Sequence, residues 1–413
     1  MVGSRNLCKS ACTKSQRLPV GMDFFDNEYY ITRQLMESIG LWPYEKRERR
    51  IVRMLCILVL YIQSLVIQLA VFITHEYSAT LFINATSFSF LCVVYLLKYN
   101  TVYFNSNHVK NLFDQIQCDW KLIENMDELK IIKKYAYKTK LWAIATTFIV
   151  YPGTFLFVST VFIPDVLDFI APLDEPRQRK FPIQVELFVD QERYFYHVSV
   201  FFIILAFVGM TILMATENMY MIFIQHSCAL FELISFRLTC AFDTDMSKTT
   251  PSKTKCKLCT KLLSALNTHQ HCLKFIETMQ HNFAMSYFFL FVVGVASASV
   301  NSYRFIDAVT VHDILEAILS GLFVYAHVCY GIFMGHFGQD IINHSEYFFQ
   351  QIYSTQWYTA PVHAQKLLLM TLRQSAKSSK IMVGGLFVIS LEGLATLISM
   401  TMSYCMVLYS VRK

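Results

Sequence analysis

Two sets of residues have types and spacing that could do chemistry. Cys256-Lys-Leu-Cys259, followed by His269, His271 and Cys272, has the look of a zinc-ligand set. The interval is shorter than in a typical zinc finger, and Lys255–Lys274 also reads as a basic amphipathic helix with Leu258, Leu262, Leu263 and Leu266 on its apolar positions. The helix is the better reading, and no metal or cofactor is expected. The second set is Gly393, Thr396, Met400, Ser403, Val407 and Val411, which recur every three or four positions and so share one helix face. That face is small or weakly polar at first and closes with two valines. In a membrane helix such a face either packs closely on a neighbour or walls an ion path that an apolar ring shuts by dewetting.

Other ionisable groups are weaker signals. Glu217, Glu316 and Glu392 lie near the edges of apolar segments, where snorkelling or interhelical hydrogen bonds are expected, and His327 reads as a packed, hydrogen-bonded histidine. Asn84-Ala-Thr86 matches a glycosylation acceptor but stands close to an apolar segment. No His-Glu-x-x-His run, Gly-rich phosphate loop or Gly-x-Ser-x-Gly turn occurs, so an enzyme is not expected.

The elements that position these residues follow from composition. Of 413 residues, 54% are hydrophobic and only 16% charged, against about 45–50% and about 25% in a soluble domain. The mean hydropathy is +0.39, so the chain reads as an all-α, multi-span membrane protein. A span needs roughly 20 apolar residues. Seven stretches qualify: Met54–Ile73, Ala79–Leu97, Leu141–Ile163, Val198–Thr216, Phe283–Val300, Ala317–Gly335 and Ile381–Val411. The last is longer than a bilayer needs, so it is expected to begin outside the membrane and to break at Gly384–Gly385. The first 21 residues lack the apolar core of a signal peptide, so the first span is expected to insert the chain.

Orientation follows from the distribution of Lys and Arg. The N-terminal segment and the second, fourth and sixth loops carry 28 of them, and the other side carries 7. The N-terminus is therefore expected in the cytosol and the C-terminus outside. That is opposite to a G-protein-coupled receptor, and the chain also lacks that family's Asp-Arg-Tyr and Asn-Pro-x-x-Tyr runs. The net charge of +6 serves topology and offers no aromatic–basic groove for nucleic acid. A secondary transporter is the alternative; the odd span count and the lack of a repeat between halves weigh against it.

The C-terminal third is more specific. Gly338–Trp357, GQDIINHSEYFFQQIYSTQW, is followed by the Leu-rich run Lys366–Lys377 and by Gly384–Val411, with Ser403–Tyr404 near its end. This pattern resembles the C-terminal signature of insect odorant receptors. The resemblance implies a ligand-gated, non-selective cation channel at the surface of olfactory sensory neurons. Four subunits would surround a pore lined by the seventh helix, with odorant-tuned subunits joined to a shared co-receptor. The fourth loop lacks the co-receptor's long insertion, so this chain resembles the variable, ligand-tuned subunit.

The resemblance also implies site residues. The gate would fall on Val407 and Val411, with Met400, Ser403 and Ser410 along the same path. A small odorant or pheromone would sit in the outer half of the membrane. Candidates there are Asn84, Ser87, Phe88 and Phe90 from span two, and Phe148, Tyr151 and Phe155 from span three. Span four offers Tyr196, Phe202 and Phe207, and span six offers Ser320, Phe323 and Tyr325. Tyr151 is the strongest, because Pro152–Gly153 should open space beside it. Tyr353, Trp357, Leu367 and Leu368 would belong to a cytosolic anchor that holds subunits together. The implied organisation is a cytosolic segment at 1–50, spans one to six over 51–335, the anchor over 336–383, and the pore helix with a short tail over 384–413.

Overall fold

Each apolar stretch expected to cross a bilayer is mostly helical, and several helices run far beyond it. The computed structural model describes residues 28–74, 76, 78–170, 193–243 and 251–412, with side chains at all of these except 79, 80, 243, 251–257, 411 and 412. In order come α1 (Tyr30–Ser38), α2 (Arg47–Thr74), α3 (Ala79–Phe104), α4 (Ser106–Leu122) and α5 (Met126–Ser159). A 3-10 turn at Thr160–Phe162 leads into α6 (Ile163–Ile170), then α7 (Phe195–Asp243), α8 (Pro251–Val311) and α9 (Ile314–Ser354). After a 3-10 turn at Trp357–Thr359 follow α10 (Val362–Ser375), the hairpin β1 (Met382–Val383) and β2 (Phe387–Val388), and α11 (Leu391–Arg412). Among the described residues, seven helices are long and apolar enough to cross a membrane. Among the described residues the fold is all-α apart from that short hairpin.

Helices α7, α8 and α9 have 49, 61 and 41 residues, so they are about 73, 92 and 62 Å long at 1.5 Å per residue. A bilayer core takes only about 30 Å. The excess projects on the side where α2 begins, here termed proximal, and forms a second bundle with α1, α4 and α10. The helices can continue because no Gly or Pro interrupts 217–243 or 252–293, and apolar residues keep their helical spacing through both stretches. On the proximal part of α8 the buried positions include Leu258, Leu262, Ala265, His269, Cys272, Ile276, Met279 and Phe283. The amphipathic segment Lys255–Lys274 and the fifth span are thus one helix. Phe113, Phe223, Phe275 and Phe348 are fully buried in the proximal bundle.

The expected break at Gly384–Gly385 is a chain reversal. Both glycines have positive φ, +59° and +73°, a region open to glycine at no steric cost. They turn β1 back onto β2 in an antiparallel pair. The long apolar stretch Ile381–Val411 is therefore a hairpin followed by a helix of 22 residues, about 33 Å long, which matches a bilayer core. The start of α11 nests on α9 at three glycines. A Cβ at Gly338 would collide with the Ile389 carbonyl, one at Gly335 would stand 3.1 Å from the Ser390 carbonyl oxygen, and one at Gly331 would meet Leu394 at 2.6 Å. Small residues permit this close approach of membrane helices.

Candidate ligand site and ion path

In the distal part of the membrane bundle, opposite the proximal end, α3 faces α8 and α9. The Ser87 hydroxyl is buried, donates to Asn301 Oδ1 at 2.7 Å and accepts from Arg304 Nη1 at 2.7 Å. Arg304 is 4% exposed, donates from Nε to Glu316 Oε1 at 2.9 Å, and lies 5.6 Å above the Phe88 ring. Phe88 meets Phe323 edge-on at 5.3 Å, and Phe157 meets Phe323 at 5.7 Å. Ser320 is buried one turn from Phe323, with its hydroxyl donating to the Glu316 carbonyl at 2.6 Å. The result is an aromatic group capped at its distal end by a neutralised charge pair, a mixed surface suited to a small organic molecule with few polar groups.

A second group lies between α5 and α7. The Tyr151 and Thr211 hydroxyls share a hydrogen bond of 2.9 Å, and the Tyr151 ring stacks on Phe207 at 6.3 Å and 11°. Helix α5 runs through Pro152 without ending, and nothing stands within 4 Å of a Cβ at Gly153, so its flank there is open. Of the remaining expected ligand residues, Asn84, Phe90 and Phe202 are half-buried. Phe148, Phe155 and Tyr325 are 74%, 61% and 68% exposed, and Tyr196 reaches outward to Asp165. These four lie on the outside of the single chain.

Sequence reasoning missed Phe157, Asn301, Thr211 and Arg304. Arg304 reads as a loop charge because it follows the last apolar residues of span five. Its signal was Glu316, an acid twelve residues on across a helical hairpin, which lets a cation stay buried by pairing.

Farther toward the proximal end, Lys98 on α3 pairs with Glu217 on α7, and the Tyr330 hydroxyl donates to the same carboxylate oxygen at 2.9 Å. Helix α11 packs by one narrow stripe. Thr401 and Cys405 are buried, and Ser299 on α8 donates to the Thr401 carbonyl at 3.2 Å. Thr396, Met400, Ser403, Val407 and Ser410 are exposed. The Ser403 and Ser410 hydroxyls donate to carbonyls of their own helix, at 2.9 Å each, so this face demands no partner inside the chain. The side chains of Val411 and Arg412 lie outside the described residues.

The proximal bundle gathers the charges. Asp119 Oδ2 accepts from His226 at 2.9 Å and His271 at 3.0 Å, and Lys138 pairs with Asp340 at 2.8 Å. Burial works to raise the Asp119 carboxyl, but the hydrogen bonds from His226 and His271 outweigh it and hold it below its ordinary value. A groove of about 740 Å³ opens here, lined by Asp127, Glu232, Phe236, His344 and Tyr347 among others. Its charged groups already pair within the chain: Glu232 with Lys134 at 3.0 Å and with Tyr135, and His344 with Tyr135 at 2.6 Å. His269 and Cys272 of the zinc-like set are buried in packing, and no group of three metal-ligating side chains forms among the described residues. The Cys256 side chain lies outside them. Leu368 is fully buried, Leu367 and Trp357 are half-buried, and Tyr353 is 69% exposed.

With this geometry in place, comparison with known proteins decides the family. The family model described as 7tm Odorant receptor matches residues 78–402, most of the chain. The chain belongs to the 7tm odorant receptor family. It is thus a multi-pass membrane protein of a receptor family and not an enzyme. Among solved structures, this odorant receptor is similar to the insect olfactory receptor OR5 from Machilis hrabei in complex with eugenol, with a TM-score of 0.73 and 13% identity over 94% of this chain and 100% of that one. A second structure of OR5 from Machilis hrabei gives 0.68 and 14%, over 94% and 98%. At this identity the likeness speaks for the fold alone. No curated protein sequence matches the odorant receptor significantly.

Proposed function

We propose that this odorant receptor is the ligand-tuned subunit of an odorant-gated, non-selective cation channel in the plasma membrane of olfactory sensory neurons. It assembles with co-receptor subunits into a heterotetramer, with its N-terminus in the cytosol. The observation that carries the reading is α11: its stripe through Thr401 and Cys405 is buried on its own chain, while Thr396, Ser403, Val407 and Ser410 stay exposed. A helix of bilayer length with a weakly polar, unburied face suits the wall of a shared pore. Val407 and Val411 act as its apolar constriction.

The ligand lies between α3, α5, α7 and α9, held by Phe88, Phe323, Tyr151 and Phe207, with Asn84, Ser87, Phe202 and Ser320 at its margin. Phe148, Phe155 and Tyr325 contribute from the chain's outer surface, where a neighbouring subunit or lipid completes their surroundings. From the Machilis hrabei receptor we carry across only the ligand class, a small organic odorant, because that receptor was solved with eugenol. Helix α9 links the two sites: Phe323 lies in one, and Gly331, Gly335 and Gly338 seat the start of α11. A ligand that favours one arrangement of α9 biases α11 by its differential affinity. The proximal bundle is the cytosolic anchor between subunits, with Tyr353, Trp357 and Leu367 at its surface and Leu368 in its own core.

The test is co-expression with a co-receptor subunit and recording over a broad odorant panel. Odorant-evoked cation currents that require this chain are expected. Uptake of ligand without current would favour a transporter instead.

A further inference from the structure

The five basic residues between Lys46 and Arg53 divide into two groups. Arg50 and Arg53 turn inward: the Arg50 guanidinium lies 5.4 Å over the Tyr103 ring, and Arg53 Nη1 donates to Glu45 Oε2 at 2.8 Å. Lys46, Arg47 and Arg49 are exposed and have no ion-pair partner among the described residues. Only Glu48, itself exposed, stands among them. Arg49 continues a definite face of α2, and Lys46 and Arg47 flank it at the start of the helix. Val52, Leu55, Val59, Ile62, Val66 and Leu69 are 52% to 62% exposed and recur every three or four positions, the spacing of one lipid-facing stripe. Arg49 is one turn before Val52, and Lys46 stands just before Arg47, the first helical residue.

Length fixes their depth. From Val52 to Ile73, the last exposed apolar residue of the stripe, the helix rises about 32 Å, which is the thickness of the hydrocarbon core, about 30 Å. With Val52 at the hydrocarbon boundary, Arg49 and Arg47 stand about 4.5 and 7.5 Å beyond it. That is the layer of lipid phosphates and headgroup carboxylates. A stripe that is apolar for one bilayer thickness and ends at a helix start carrying three unpaired cations complements an anionic lipid in both its parts: acyl chain against the stripe, charged headgroup against Arg49 with Lys46 and Arg47 beside it. A zwitterionic headgroup leaves most of that positive charge unbalanced.

We infer that the N-terminal end of α2 is a binding site for anionic phospholipid, with Arg49 its central contact. The inference is independent of odorant gating. The test uses the full chain assembled with its partner subunits, in nanodiscs of equal phosphatidylserine and phosphatidylcholine, and counts by native mass spectrometry the lipids retained after extraction. The wild type is expected to retain phosphatidylserine over phosphatidylcholine. Arg49→Gln should lower that preference about fivefold, the value of one basic residue near a charged surface, and the triple variant Lys46→Gln/Arg47→Gln/Arg49→Gln more than tenfold. Lys130→Gln/Lys133→Gln, which removes exposed charge elsewhere, should leave it unchanged. A wild type without preference, a triple variant equal to wild type, or an equal loss in the control pair would each overturn the site. Melting temperatures equal to wild type verify that the surface variants fold, and Arg49→Gln alone suffices if the triple variant does not.

Discussion

Lys98 and Glu217 are 119 residues apart in sequence, yet their side chains meet as an ion pair closed off from solvent at 3% and 6% exposure. The pair ties α3 to α7, and Tyr330 adds α9 through hydrogen bonds to Glu217 at 2.9 Å and from Lys98 at 3.2 Å. Three helices that carry ligand-site candidates distally are therefore fixed to one another by a single charged group of atoms beneath them. Charges in a membrane interior persist only when paired in this way.

Removing one partner should cost more than removing both. Lys98→Met strands Glu217 and should destabilise the receptor by about 3–5 kcal/mol, whereas Lys98→Met/Glu217→Leu should recover most of that loss. Thermal melting of detergent-purified protein, followed by size-exclusion fluorescence, measures both. An additive double variant would mean that the two groups do not act as a pair.

Close packing of α9 on the start of α11 makes Gly338 sensitive to a single methyl group. Gly338→Ala places a Cβ against the Ile389 carbonyl, and overpacking of this kind costs about 1–3 kcal/mol. Gly294→Ala, where nothing stands within 4 Å, is the matched control. Reduced folded yield is expected for the first variant and wild-type yield for the second.

How much of this was legible in the sequence depends on which physical rule governs each residue. Hydropathy located the spans, and the adjacent glycines at 384 and 385 marked the chain reversal, because each signal is local. Arg304 was misplaced in a loop, since a buried cation depends on Glu316 and Ser87, partners that only the fold brings near. The extension of α7 falls beyond the end of span four at Thr216 and reads as loop, while the helical spacing of Phe223, Ser227, Leu230 and Ile234 carries the continuity; the extension of α8 reads as an amphipathic helix, but not as one helix with span five. Of the aromatic residues on α5, Tyr151 and Phe157 turn into the bundle and Phe148 and Phe155 out of it. Pro152 sits among them, and the membrane stretch is apolar on every face, so periodicity offered no choice.

Asp119 gives the proximal bundle a pH dependence of known sign. Its carboxyl is held below the ordinary value by His226 and His271, despite burial. The stabilisation is therefore present above the unfolded value, about 3.9, and is lost as pH falls through the lower folded value. Asp119→Asn removes the charged acceptor and should cost about 2 kcal/mol at neutral pH, with a smaller difference from wild type at acid pH. Melting curves across pH 3 to 7 measure this, and a constant difference would show that the charge plays no part.

Tyr151 should set ligand potency through its ring and, less, through its hydroxyl. Tyr151→Phe removes the bond to Thr211, worth about 1 kcal/mol or about fivefold, while Tyr151→Ala also removes the stack on Phe207 and should shift potency more than tenfold. Dose–response curves at matched surface expression measure both. Unchanged potency across a broad panel would remove Tyr151 from the ligand site.

The most direct test of an ion path along α11 is chemical modification at Val407 during odorant-evoked current. In cells carrying the co-receptor, Val407→Cys should give a current that a charged, membrane-impermeant thiol reagent alters within the recording, while the wild-type current, with its native exposed Cys56 and Cys329, does not change. Val407→Ala should raise the current seen without odorant. A Val407→Cys channel that conducts normally and ignores the reagent, open or closed, would contradict the placement of this helix face along the pore.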